Sequence, residues 1–171
     1  MRNAVIVALI AVLLPGAART AAATQQFVDV REVVDDTLHD VAMTVVTHGH
    51  PTIYFSPARM QELGPSLSAF AMAHEYGHVR YGHTGGALGD PAGSDAELRI
   101  RQELEADCYA ARILGETNPT AVTAALQFFN RLGPFRFDRV HPAGAQRSAM
   151  INSCLPKAAD APASGDPRIP S

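Results

Sequence analysis

His74-Glu75-Tyr76-Gly77-His78 places two histidines four residues apart, with a glutamate beside the first. That spacing has chemical meaning on a helix, where residues i and i+4 stand one turn apart on one face. Leu67, Phe70, Ala71, His74, His78 and Tyr81 form one stripe at the 3.6-residue period, so both imidazoles belong to the inward face. The pattern is HExxH. In it two ring nitrogens aim at one zinc ion, and the glutamate takes the proton of a zinc-bound water as that water attacks a carbonyl. Five-residue patterns also arise by chance, so the rest of the chain has to supply the context.

A hydrolytic zinc site takes three protein ligands and keeps one position for water. A metzincin would need HExxHxxGxxH, with Gly at 81 and His at 84. The chain has Tyr81 and Thr84, while Gly82 and His83 each sit one position off. His83 therefore reads as a helix-end residue at the rim. His48 and His50 read as solvated loop residues, since no third ligand lies nearby in sequence. The stretch from Arg101 to Leu114 is more promising. Glu103 and Asp107 share one helical face, and Glu105 points elsewhere. Glu103 is the candidate third ligand. Asp107 is placed to hydrogen-bond the far nitrogen of a ligand histidine and fix its tautomer.

The surrounding pattern is α+β and mostly helical. Phe27, Val30, Val33, Val34 and Leu38 predict an amphipathic helix from Gln25 to Asp40. Val41–Thr47 and Thr52–Phe55 are β-rich, and His48-Gly49-His50-Pro51 between them signals a hairpin turn. A short helix is expected over Pro57–Leu63, closed by Gly64. Ser66 is expected to cap the HExxH helix. After a glycine-rich loop, Ser94–Glu97 has capping-box spacing for a helix running to Leu114 and ended by Gly115. Asn118-Pro119 starts another, with Val122, Leu126 and Phe129 on its core side and Gly133 at its end. A last helix follows His141-Pro142 to Ser153.

The chain has 171 residues with a formal net charge of −3, which fits one domain and gives no nucleic-acid footprint. Arg2, the apolar run Ala4–Leu14, Pro15-Gly16 and Ala21-Ala22-Ala23 have the anatomy of a secretory signal peptide over 1–23. Eleven apolar residues reach only about 16 Å as a helix, against a hydrocarbon core of about 30 Å, so stable membrane insertion is not expected after cleavage. Residues 24–155 form the expected domain, and 156–171 read as a disordered tail. Export to a periplasm or the exterior would permit a disulfide between Cys108 and Cys154; two buried thiols are the alternative.

HExxH, then Glu103 and Asp107 as ExxxD about 25 residues later, then His141-Pro142 with Arg147 six residues after the histidine, resembles the gluzincin peptidases. These include the CAAX prenyl protease and the heat-shock-induced bacterial membrane protease. The chain is most similar to their small soluble relatives, the minimal gluzincins, from roughly Thr52 to Ile151. The resemblance implies one zinc held by His74, His78 and Glu103, with Asp107 behind a ligand. It also implies Glu75 as base and then acid, His141 as stabiliser of the oxyanion, and Arg147 as support for the site or the substrate. An extended peptide or protein substrate would pair with a strand beside the active-site helix, matching Thr52-Ile53-Tyr54-Phe55. The membrane members carry several transmembrane helices, so their substrates do not carry over.

Two rivals stand beside this reading. A regulatory protease that cleaves phage repressors has a similar E-x-E-A-N helix after HExxH, but the leader and Asp107 argue against it. A zinc-binding interaction module without proteolysis has no need of Glu75.

Overall fold

The computed structural model describes residues 29–83 and 96–155. The expected leader, the glycine-rich loop, Ser94 and the C-terminal tail lie outside these residues. The fold is α+β: strands β1 (Arg31–Val34), β2 (Ala42–Thr47) and β3 (His50–Phe55) precede helices α1 (Pro57–Leu63), α2 (Pro65–Tyr81), α3 (Ala96–Thr117), α4 (Pro119–Leu132) and α5 (Gly144–Cys154).

The hairpin forms as the sequence predicts. His48 and Gly49 both have positive φ, as a two-residue turn of type I′ requires, and Thr47 pairs with His50. His48 and His50 are exposed at its tip. Over the described residues 29–40, the helix expected for Gln25–Asp40 does not form. Its described part forms β1, parallel to β3 with Arg31 opposite Thr52 and Val34 opposite Phe55. The β-branched pair Val33-Val34 suits a ladder better than a helix. Asp35 then ends the strand, its Oδ1 accepting from Thr37 N at 2.9 Å and Thr37 Oγ1 at 2.7 Å.

β3 consequently lies in the centre of the sheet, in the order β1-β3-β2. The expected exposed edge at Thr52–Phe55 is thus paired on both sides. The free edge facing the helices is β2.

Ser56 caps α1, with Pro57 in its first turn. Gly64, φ 83°, separates α1 from α2 and takes the capping position expected of Ser66, which lies inside the helix behind Pro65. α3 continues through Gly115 to Thr117, because the helix meets its real stop at Asn118, the residue before Pro119. Asn118 Oδ1 then accepts from Ala121 N and caps α4. α5 begins at Gly144, three residues past His141, where Gln146 Oε1 accepts from Ala143 N at 3.0 Å.

Phe70, Ala110, Ala111, Val122, Ala125, Phe129 and Ile151 form the core between α2, α3, α4 and α5. Small residues let these helices approach. A Cβ on Gly77 would lie 2.9 Å from Ala106 Cα, so glycine is required where α2 crosses α3. Cys108 of α3 and Cys154 of α5 are joined by a disulfide. Among the described residues no helix is long and apolar enough to cross a membrane.

Candidate metal centre

α2 presents His74 and His78 from its buried face, and α3 presents Glu103 opposite them. His74 Nε2 lies 3.0 Å from His78 Nε2 and 3.2 Å from Glu103 Oε2, and His78 Nε2 lies 3.3 Å from Glu103 Oε1. These three groups can hold a metal ion, their ligand atoms all lying within 4.8 Å of one another.

The hydrogen bonds behind the cluster fix which nitrogens face it. Asp107 Oδ1 is 2.9 Å from His74 Nδ1. A carboxylate only accepts, so His74 Nδ1 carries a hydrogen and Nε2 is the nitrogen left to face the cluster. Asp107 is fully buried and held by Arg147, which donates from Nε to Oδ2 at 2.7 Å and from a terminal nitrogen to Oδ1 at 2.5 Å. The guanidinium in turn lies 4.1 Å over the Phe129 ring. Burial raises the Asp107 pKa, but Arg147 and His74 outweigh it and the net shift is downward.

Electron-rich donors meeting at one point create a demand for positive charge. The electrostatics record it. Burial disfavours a charged His74, yet Asp107 and Glu103 overcome this and raise its pKa to about 10. Burial likewise opposes a charged Glu103, and the two histidines reverse that effect and lower its pKa. Two imidazole nitrogens and a carboxylate facing one point suit a borderline cation, so the donor set fits a metal.

A cleft of about 720 Å³ opens over these residues. Glu75, His141 and Arg147 line it, as do Val41 to Thr44 of the β2 edge. Glu75 is buried, and its Oε2 accepts from Thr44 Oγ1 at 2.7 Å. His141 Nδ1 lies 2.7 Å from Asp138 Oδ2, while Asp138 Oδ1 accepts from the backbone N–H groups of Val140 and His141. Six of the site residues named from sequence, His74, Glu75, His78, Glu103, His141 and Arg147, line this cleft, and the seventh, Asp107, is buried behind His74.

Sequence reasoning missed Thr44, Asp138 and one feature of His83. Thr44 and Glu75 are brought together by tertiary packing alone, with no local signal. Asp138 stands three residues before His141, a spacing that a reading for helices passes over. His83 is buried rather than at the rim: its Nδ1 lies 3.1 Å from His78 Nδ1, and its Nε2 lies 3.0 Å from Glu105 Oε2.

No protein-family model, curated protein or solved structure matches the chain.

Proposed function

We propose that the chain is an exported zinc metalloendopeptidase that hydrolyses peptide bonds, of the minimal gluzincin type. One observation carries this reading: His74, His78 and Glu103 converge on the floor of an open cleft with the Glu75 carboxylate beside them. A purely structural zinc site would be closed by a fourth protein ligand. Zinc held by His74, His78 and Glu103 would supply Lewis acidity and lower the pKa of water.

The chain's own groups supply the rest. Glu75 accepts a proton from the attacking water and returns it to the leaving amine. Thr44 holds one carboxylate oxygen, which fixes the orientation of that base. His141, held through Nδ1 by Asp138, lines the cleft where a donor would meet the developing oxyanion. Arg147 acts from behind the site, keeping Asp107 ionised and His74 in one tautomer. The β2 edge at Ala42–Thr44 offers backbone groups to an extended peptide. The Cys108–Cys154 disulfide supports export, because such bonds persist in oxidising compartments.

The test compares wild type with Glu75→Gln on a mixture of unstructured peptides, with zinc measured in both. The variant is expected to keep one zinc per chain and to lose about 10²–10⁴-fold in cleavage rate. Equal cleavage by the variant, or wild type without zinc, would sink the reading.

A further inference from the structure

We propose that His83 and Glu105 position His78 for metal binding, as a second orienting chain opposite the Asp107–Arg147 pair. This inference rests on reading His74, His78 and Glu103 as a metal site. It concerns how the second imidazole is held in the correct tautomer.

The placement of His83 follows from how α2 ends. Gly82 adopts the left-handed conformation, φ 67° and ψ 28°. Its N–H donates to Val79 O at 3.1 Å, and the N–H of His83 donates to His78 O at 2.9 Å. These two bonds make a Schellman motif. The motif folds the residue after the glycine back over the residue five positions earlier. In this chain those residues are His83 and His78, so one helix cap stacks one imidazole against the other. Their ring centroids lie 5.2 Å apart at 68°. The Tyr81 ring also packs near His83, with centroids 5.7 Å apart.

Hydrogen-bond direction can then be followed inward from the surface. Glu105 is largely exposed, and its carboxylate accepts. His83 Nε2, 3.0 Å away, therefore donates. A neutral His83 with its hydrogen on Nε2 has only a lone pair at Nδ1. With an ion held at His78 Nε2, the hydrogen of that ring sits on Nδ1, 3.1 Å from the His83 lone pair, and His78 supplies the hydrogen between them. That tautomer frees His78 Nε2 to take an ion beside Glu103. Without the relay, His78 is free to carry its hydrogen on Nε2, where it would block coordination. His83 thus serves the ion through His78 and is not itself a ligand; its Nε2 is committed to Glu105.

The glutamate at 105 belongs to the same acidic run as Glu103 and Asp107. Three carboxylates at alternate positions of α3 then have three separate tasks. Glu103 meets the ion, Asp107 holds His74, and Glu105 holds His83.

The experiment uses histidine labelled with ¹⁵N in the full chain. A coupling through the hydrogen bond between the Nδ1 atoms of His78 and His83, with the hydrogen on His78, is expected in zinc-loaded wild type. Zinc affinity is measured alongside, by competition with a chelator. His83→Leu, which offers no acceptor, is expected to weaken zinc binding by about 10–100-fold. His83→Asn, whose side-chain oxygen can stand where Nδ1 stood, is expected to recover most of that loss. Glu105→Ala lies on the surface, keeps the fold intact, and is expected to remove the preference for hydrogen on His78. A hydrogen found on His83 Nδ1, or zinc affinity unchanged in both His83→Leu and Glu105→Ala, overturns the proposal. Zinc bound with the expected coupling but no peptide cleaved leaves this proposal standing and removes the hydrolase reading.

Discussion

Asp107 has no exposed surface and touches both His74 and Arg147. Removing one member of such a buried pair strands the charge of the other. Arg147→Met should therefore cost about 3–5 kcal/mol in stability, read by urea unfolding. It should also weaken zinc binding, since Asp107 would lose the cation that holds it in place. The Glu103–Asp107 arrangement was legible beforehand because four-residue spacing on a helix fixes a shared face without knowledge of the fold. His83 was not, although its signal was present. Gly82 followed by His83 is a Schellman ending, and that motif places His83 over His78. Counting toward a third ligand directed attention to coordination instead of to the ring behind it. Thr44 was beyond reach, since its bond to Glu75 joins residues far apart in sequence.

α2 and α3 converge through Gly77 and Ala106, where any side chain on residue 77 would strike the α3 backbone. Gly77→Ala should destabilise the fold by about 1–3 kcal/mol, measured by denaturant titration. By pushing Glu103 away from the imidazoles it should also reduce metal affinity. The HExxH pattern leaves this position open, so only the packing explains the glycine. β1 is the element read wrongly: its valines satisfied the helical period, but a partner strand decided the outcome. Tyr76 helps dock it, its hydroxyl donating to Glu32 Oε1 at 2.6 Å. That bond raises the Tyr76 pKa to about 12, with burial and the Glu32 charge adding to it. The folded value lies above the unfolded value of about 10. The bond's stabilisation is therefore complete below about pH 10 and is lost as pH rises through about 12. Ultraviolet titration of tyrosinate should show this late ionisation in wild type and its absence in Tyr76→Phe.

The disulfide joins the helix bearing Glu103 and Asp107 to the helix bearing Arg147, across 46 residues of sequence. A loop of that size gives about 4 kcal/mol by chain-entropy arguments. Cys108→Ser with Cys154→Ser should lower the unfolding free energy by about that amount in denaturant titrations. The sequence left this pairing open, because cysteine spacing carries no information on whether two helices bring the sulfurs together. The α+β class and most helix borders were readable, because proline, glycine and asparagine mark them locally.

Charge counting around the centre has a further outcome. Glu75, Glu103 and Asp107 carry three negative charges and Arg147 one positive charge, a surplus of two among these four groups. A dication cancels that surplus, whereas a protein stripped of metal meets part of it with hydrogen ions, one of them on His74 up to about pH 10. Capturing the ion therefore expels acid into the surrounding solution, and calorimetry in buffers of different ionisation enthalpy should register the release. An acidic medium should therefore weaken the hold of these groups on a dication, and an alkaline one strengthen it.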